Sequence, residues 1–428
     1  MKMRKRCCFV FLCIFAAIYI SGCGKEDRRK NDEDKLSVYL LEGSSFVEMI
    51  DEYNHEQEKE TDRIEYTLFP VEDYENMYKK MTSELLAGEG PDIICFDSSS
   101  IVNIRQLINQ NAFLDLSAEL EDIVTDEQIL EKSEGQMKII PVSYSVPMLI
   151  TTENICEKYG INIENTILTE DELNTLSQKD IPIFADPYNY LYFVYERYID
   201  KEEKKALYDN HDFRKLLSKV ENWARLAWDE TELYVGMNPR EFDELKKEGL
   251  MFVMTDNITS PILSVTLYNQ MQKEAGKELV VFGVKNGDDG MFGYAKEMVA
   301  INGNTSQKED AVRFLKYLLS DAVQSYDKDQ GHKLSGIPVI GESRDKEIDR
   351  METVPYASDY IDIVEGVPEI FKNRYKDIVE SAQTCVIPDN GYKYQIFSEL
   401  LDEYKSGQIN SEDFIDKLNK KTGLYLNE

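Results

Sequence analysis

The chain has 428 residues, 42% of them hydrophobic and 11% aromatic. It is too apolar for a disordered polymer and long enough for two sizeable cores. Asp and Glu number 81 against 49 Lys and Arg, a formal net charge of −32. A surface this acidic repels phosphate, which excludes attraction to nucleic acid or anionic headgroups as the main activity. His55, His211 and His332 lie far apart with no metal-ligand spacing, so neither a His-built zinc site nor a cofactor is expected.

The N-terminus reads as an export signal. Lys2, Arg4, Lys5 and Arg6 precede fourteen uncharged residues, Cys7 to Ile20, too few to span a bilayer as a helix. Ile20-Ser21-Gly22-Cys23 then gives way to the charged run Lys25-Glu26-Asp27-Arg28-Arg29-Lys30. This resembles a bacterial lipobox, in which small residues precede a Cys whose thiol is lipidated, and the resemblance implies Cys23 as the anchored N-terminus. Cleavage would remove residues 1–22 and four cations, lowering the charge from −32 to −36. Residues 23–35 read as the lipidated Cys and a solvated tether. Cys95, Cys156 and Cys385 remain, an odd number at wide spacing, and are expected to be buried small apolar residues.

Strands and helices alternate from there. Leu36 to Leu41 and Ile64 to Phe69 read as strands, and helices follow from Phe46 and from about Val71. Gly88-Glu89-Gly90-Pro91 punctuates the chain before a short buried strand ending at Asp97. Alternation of this kind implies a parallel sheet, whose ligands sit beyond the strands' carboxyl ends. The loops after Leu41 and Phe96 are therefore the places to look for a site. Further on, Ser306 and Glu309 suggest a capping box for a helix that buries Val312, Leu315, Leu319 and Val323.

Several segments, in order, resemble extracellular solute-binding proteins of the maltose-binding type. They are Met81 to Asp97, Asn111 to Ser117, Ile140 to Leu149, Glu248 to Met254, Val299 to Ser320, Gly336 to Val339 and Gly407 to Asp413. The resemblance implies an α/β periplasmic-binding-protein-like fold of two lobes, with a hinge and an inter-lobe cleft. Lobe 1 is expected at 36–148 plus 296–330 and lobe 2 at 149–290 plus 336–428. It also implies a monomeric carbohydrate receptor, lipid-anchored on the extracytoplasmic face of the cell membrane, that delivers an oligosaccharide to the permease of an ABC importer.

Candidate ligand contacts follow from that resemblance and from what a sugar offers, hydroxyls for short polar side chains and flat C–H faces for aromatic rings. Glu42, Ser44 and Ser45 occupy a turn that the family uses for polar contacts, although either Ser would equally cap the next helix. Asp97 and Ser98 stand just past a strand end, where the family places an acidic or polar contact. Asp186-Pro187-Tyr188 looks like the turn that stacks a sugar ring on Tyr, with Asp186 as its acid. Asp256 and Asn257 fall in a loop where many relatives carry a stacking Trp and this chain has none. Tyr144, Phe292 and Tyr294 are further aromatic candidates. Trp223 and Trp228 are expected in the core.

No GxSxG, HExxH, GxGxxG or Walker-type motif occurs, and the chain is not expected to be an enzyme. Lys285-Asn-Gly-Asp-Asp-Gly290 lacks the spaced ligands of a calcium loop and reads as a turn. A second reading keeps the fold but makes the protein a ligand sensor or surface interaction protein for a membrane signalling partner. A third, a surface hydrolase, has no positive signal.

Overall fold

The computed structural model describes residues 35–97, 100, 102–121, 137–179, 187–201, 203–224, 260–261, 264–265, 268–269, 272, 278–286, 290–325, 333–353, 356–358, 361–364 and 366–427. The signal, Cys23, most of the tether and the Glu248 to Met254 segment lie outside them. So does Trp228.

The first unit is a helix-covered sheet. Strand β1 (Leu36–Leu41), helix α1 (Phe46–Glu56), strand β2 (Ile64–Phe69), helix α2 (Tyr74–Leu86) and strand β3 (Ile93–Phe96) come in that order. β1 pairs in parallel with β2, from Leu36 opposite Ile64 to Leu41 opposite Phe69, and with β3 through Val38 and Ile93. Phe46, Met49, Ile50 and Tyr53 form one buried stripe on α1, and Met77, Tyr78, Met81 and Leu85 another on α2. Sandwiched between such stripes, all four residues of β3 are buried. The Gly-Pro-Asp punctuation is scaffold. Asp92 accepts from Ser37 N at 2.9 Å, Ser37 Oγ at 2.7 Å and Thr305 Oγ1 at 2.6 Å. Gly88 and Gly90 hold φ of +77° and +95° in the turn that delivers it.

Helix α3 (Ile104–Asn109) follows, capped by Asn103, whose side chain accepts from Gln106 N. The chain then leaves the sheet through β4 (Ile140–Pro141) into β5 (Ser143–Ser145) and β6 (Met148–Thr152). Next come α4 (Glu153–Tyr159), β7 (Ile167–Leu168), α5 (Glu170–Ser177), α6 (Asn189–Val194), β8 (Ile199–Asp200), β9 (Lys205–Ala206) and α7 (His211–Ala224). Strand β10 (Leu279–Val284) precedes β11 (Met291–Ala295), and β12 (Met298–Ile301) re-enters the first sheet, whose order is β2-β1-β3-β12-β4. Helix α8 (Lys308–Leu318) starts two residues after the expected box residue Ser306, with Gln307 at its N-cap and no side-chain cap bond. It buries Ala311, Phe314, Leu315 and Leu318; Val312 is half-buried, and Val323 belongs to the next helix, α9 (Asp321–Gln324).

The C-terminal part comprises β13 (Ile337–Pro338), α10 (Gly341–Arg350), β14 (Tyr356–Ser358), β15 (Ile361–Val364), α11 (Glu369–Glu380) and β16 (Ala382–Val386). It ends with α12 (Asn390–Tyr392), a π-helical turn at Lys393–Phe397, α13 (Ser398–Lys405) and α14 (Ser411–Tyr425). Two larger sheets result beyond the first, β6-β10-β7 and β13-β5-β11-β16.

Two hydrophobic cores form. The first fills the initial sheet and continues through the crossing strands to the α11 side of β10; the second gathers α4 to α7, α13, α14 and the other face of β10. Alternation along β10 divides them, Leu279 and Val281 facing the first core and Val280, Phe282 and Val284 the second. Trp223 is fully buried in the second core, edge-on to Tyr190 at 5.5 Å. Cys95, Cys156 and Cys385 are buried and form no disulfide, and burial pushes the Cys156 thiol up to about 11.

Candidate functional site

The parallel strands β1, β2 and β3 end together at Leu41, Phe69 and Phe96, so their following loops share one edge. Met298 pairs with both Phe96 and Pro141, which puts the end of β4 and the start of β12 at that same edge. The chain therefore passes between the units where the loop carboxyl ends open, the arrangement in which α/β sheets take ligands.

Three passages of chain meet there on one carboxylate. Glu297, 2% exposed, precedes β12. Its Oε1 accepts from Ser335 N at 3.1 Å and from Ser335 Oγ, and its Oε2 accepts from Ser143 Oγ. Ser143 lies in the outward passage and Ser335 in a third, just before β13. The backbone repeats the tie, Val142 N donating to Glu297 O at 2.7 Å and Lys296 N to Ser143 O at 2.9 Å. Gly336 fits only because it lacks a Cβ, which would stand 2.4 Å from Ser143 Oγ. Burial raises the Glu297 carboxyl above its ordinary range, against the opposing bonds from Ser335 and the charge of Lys296.

A second polar contact joins the cores directly. Arg105 on α3 packs with the first core's helix and reaches two carboxylates of the other. Its Nε donates to Asp389 Oδ2 at 3.0 Å and its Nη2 pairs with Glu196 Oε2 at 3.4 Å. Asp389 also accepts from Tyr392 N at 3.0 Å and Tyr425 Oη at 2.8 Å, while Lys201 pairs with Glu196 at 3.3 Å. The backbones approach closely, since a Cβ on Gly391 would lie 2.9 Å from Val102 O. Burial raises the Asp389 carboxyl despite Arg105. At Glu196 burial pulls the same way, but Lys201 and Arg105 outweigh it and hold the group below its ordinary range.

Aromatic rings collect on the second unit. Phe292 and Tyr294 share the half-buried face of β11. Tyr294 stands edge-on to Phe193 at 6.1 Å and donates its hydroxyl proton to Phe193 O. Asn286 orders this strand, accepting from Phe292 N at 2.7 Å and donating to Tyr294 Oη at 3.1 Å. Tyr188, half-buried, meets Tyr404 edge-on at 6.0 Å with Lys405 Nζ 5.7 Å over its ring. Tyr394, 41% exposed, shares Lys393 with Tyr192, the ammonium 5.3 Å from each ring.

The expected residues divide as follows. Glu42 is exposed, and Ser44 and Ser45 are half-buried at the β1 edge. Ser44 Oγ accepts from Phe46 N at 3.4 Å, so it also serves the helix start, whereas Ser45 makes no side-chain cap bond. Asp97 is half-buried at the β3 edge and accepts from Ser100 Oγ at 3.3 Å; Asn103, not Asp97, caps the following helix. Tyr144 departs from expectation. It is 2% exposed in β5, against Gly293 and bonded to Arg344, so its ring is hinge core with no free face for a sugar. Ser98, Asp186, Asp256 and Asn257 lie outside the described residues. Sequence reading missed Arg105, Glu196, Asp389 and Tyr394. A Tyr-Lys-Tyr triplet at 392–394 was a visible signal for the last. Among the described residues no group of three metal-ligating side chains occurs, and no helix is long and apolar enough to cross a membrane.

The model of the bacterial extracellular solute-binding protein family matches residues 38–325, and the chain belongs to that family. Solved structures share the fold over nearly the whole length. An ABC substrate-binding protein from Listeria monocytogenes, in complex with cycloalternan, has a TM-score of 0.57 at 12% identity, covering 92% of this chain and 99% of its own. A family 1 extracellular solute-binding protein from Alicyclobacillus acidocaldarius has a TM-score of 0.61 at 13% identity, covering 92% and 98%. A cyclic α-maltosyl-1,6-maltose binding protein from Arthrobacter globiformis has a TM-score of 0.58 at 16% identity, with the same coverage. No curated protein matches at a significant level. Family and fold together define a two-unit, periplasmic-binding-protein-like solute binder.

Proposed function

We propose that the protein is a lipid-anchored receptor that captures a neutral oligosaccharide outside the cytoplasm and presents it to the permease of an ABC importer. The sugar lies between the two units, which close on it by bending at the three passages of chain around Glu297. The observation that carries this reading is the shared edge. Strand-end loops bearing Glu42, Ser44, Ser45 and Asp97 share the edge at which the chain passes into the crossing strands, and Phe292 and Tyr294 lie on one of these, β11, with Tyr394 exposed further along the chain. Carboxylates and hydroxyls suit sugar hydroxyls, and exposed rings suit sugar faces. The net charge of −32 disfavours acidic sugars. The sugar complexes among the structural relatives support the ligand class, and the Ser-Gly-Cys23 lipobox supports the anchor. Reversible binding needs no chemistry, and no catalytic motif occurs in the sequence.

A thermal-shift panel tests the ligand class. At a hundredfold excess over Kd, a bound sugar adds about 2.7 kcal/mol to stability, a shift of a few degrees for a chain of this size. Stabilisation by neutral oligosaccharides is expected. A clear shift with amino acids or peptides and none with any sugar overturns the reading.

A further inference from the structure

Arg105 stands at the ligand edge of the first sheet. A helix that follows a parallel strand begins at that strand's carboxyl end, and α3 begins at Ile104, soon after β3 ends at Phe96. Arg105, the second residue of the helix, therefore shares the edge of the β1 and β3 loops. From there its guanidinium reaches Asp389 at 3.0 Å and Glu196 at 3.4 Å, carboxylates whose side chains are 4% and 8% exposed. Each has partners of its own within the second unit. Tyr392 N and Tyr425 Oη donate to Asp389, and Lys201 and the Tyr195 hydroxyl bond Glu196. Among the described residues, apolar burial does not bridge the contact. Val102, Ile104 and Leu107 pack into the first core and Tyr392 into the second, and where the backbones meet, Gly391 has no side chain to insert. Parting such a contact exposes charges, which water receives, instead of apolar surface, which it resists.

We infer that Arg105 is the latch of the cleft, a positioning residue that joins the two units across their ligand edge and so sets how tightly sugar is held without touching it. The passages of chain around Glu297 let the units bend, and the contact at the ligand edge fixes how much of the protein is closed. A sugar lying between the units binds the closed arrangement, so its apparent Kd rises in inverse proportion to the closed fraction. Arginine suits the role, because one planar fork faces two carboxylates at once and keeps its charge at any physiological pH. The inference rests on the reading that the units close on their ligand. It adds that the protein's own ion pairs, beside the sugar, supply part of the closing force.

Lys219 supplies a matched control. Its ammonium also faces two carboxylates, Glu170 at 3.3 Å and Asp171 at 3.0 Å, but it joins α7 to α5 inside the second unit. Nitroxide labels on Glu48→Cys in α1 and Lys420→Cys in α14, both exposed positions, report the distance between the units by pulsed electron resonance. The label pair stands alone in the mature chain, where Cys23 bears lipid and Cys95, Cys156 and Cys385 are buried. Without sugar, Arg105→Met should lengthen or broaden that distance. In calorimetric titrations with cycloalternan and with cyclic maltosyl-maltose, it should weaken whichever glycan wild type binds by about tenfold or more. Arg105→Lys keeps the charge and should fall between, and it carries the comparison if Arg105→Met does not fold. Adding Asp389→Asn to Arg105→Met should recover part of the affinity. Lys219→Met should lower the melting midpoint and leave distance and affinity unchanged. An Arg105→Met chain that melts lower yet keeps the wild-type distance and affinity makes Arg105 a plain support of the fold and overturns the latch. Binding of neither glycan, with no shift on the wider sugar panel, overturns the sugar reading. The sugar-free distance then decides the latch by itself, which stands if Arg105→Met widens it and falls if it does not.

Discussion

Two buried carboxylate clusters join the halves of this protein, and they are built on opposite plans. At Glu297 both oxygens are occupied by hydroxyl and amide donors from the two other passages of chain. At Arg105 one guanidinium faces two buried carboxylates, Asp389 and Glu196, and Lys201 shares the second. The first cluster links segments that the backbone already brings together, so it behaves as a joint. The second links residues 284 apart in sequence, through side-chain ion pairs. Chain continuity thus distinguishes the first connection from the second.

Four substitutions sharpen that contrast, and the largest effect is expected at Arg105. Arg105→Met leaves Asp389 and Glu196 buried without their shared cation, a loss of roughly 3–5 kcal/mol by urea unfolding. Adding Asp389→Asn should recover part of it, and a double variant no more stable than the single one contradicts the pairing. Glu297→Ala comes next, at about 2–3 kcal/mol, because Ser143 and Ser335 lose their acceptor. Glu297→Gln keeps an acceptor and should cost less than about 1 kcal/mol.

The pH dependence of Glu297 follows from its raised carboxyl. The unfolded chain releases this proton first as pH rises through the ordinary glutamate range, so the native state binds the extra proton and stability falls. The loss is complete once pH exceeds the raised native value, and it is absent below the ordinary range. The stability difference between Glu297→Gln and wild type should therefore grow in favour of the variant from about pH 4 upward. A difference flat with pH would show that burial does not perturb the group. The smallest stability effect belongs to Tyr394→Ala, within about 0.5 kcal/mol at this exposed position. Its glycan affinity should nevertheless drop if the ring stacks on sugar, and an unchanged titration removes Tyr394 from the site.

How far the sequence reached depends on how local the determinants are. β1 and β2 are observed at the strands read from alternation and apolar runs, and α1 begins at Phe46 as its apolar spacing indicates. The Ser306–Glu309 box does not form: the helix starts at Lys308 with Gln307 at its N-cap, and Thr305 Oγ1, one residue before Ser306, accepts from Gln307 N at 3.1 Å. Tyr144 was legible as an aromatic in the Ile140 to Leu149 segment of the resemblance. Its burial was not, because that depends on Gly293 and Arg344, far along the chain. Arg105 carries no motif or spacing that singles it out. Only the fold reveals that Asp389, near the C-terminus, stands opposite it.

The central claim is that a neutral sugar is held between the two cores, and a crystal structure of the chain grown with a stabilising oligosaccharide tests it most directly. The account predicts a sugar ring between the β1 and β3 edge loops and the face carrying Tyr294 and Tyr394. Sugar bound on an outer surface, away from those loops, would contradict it.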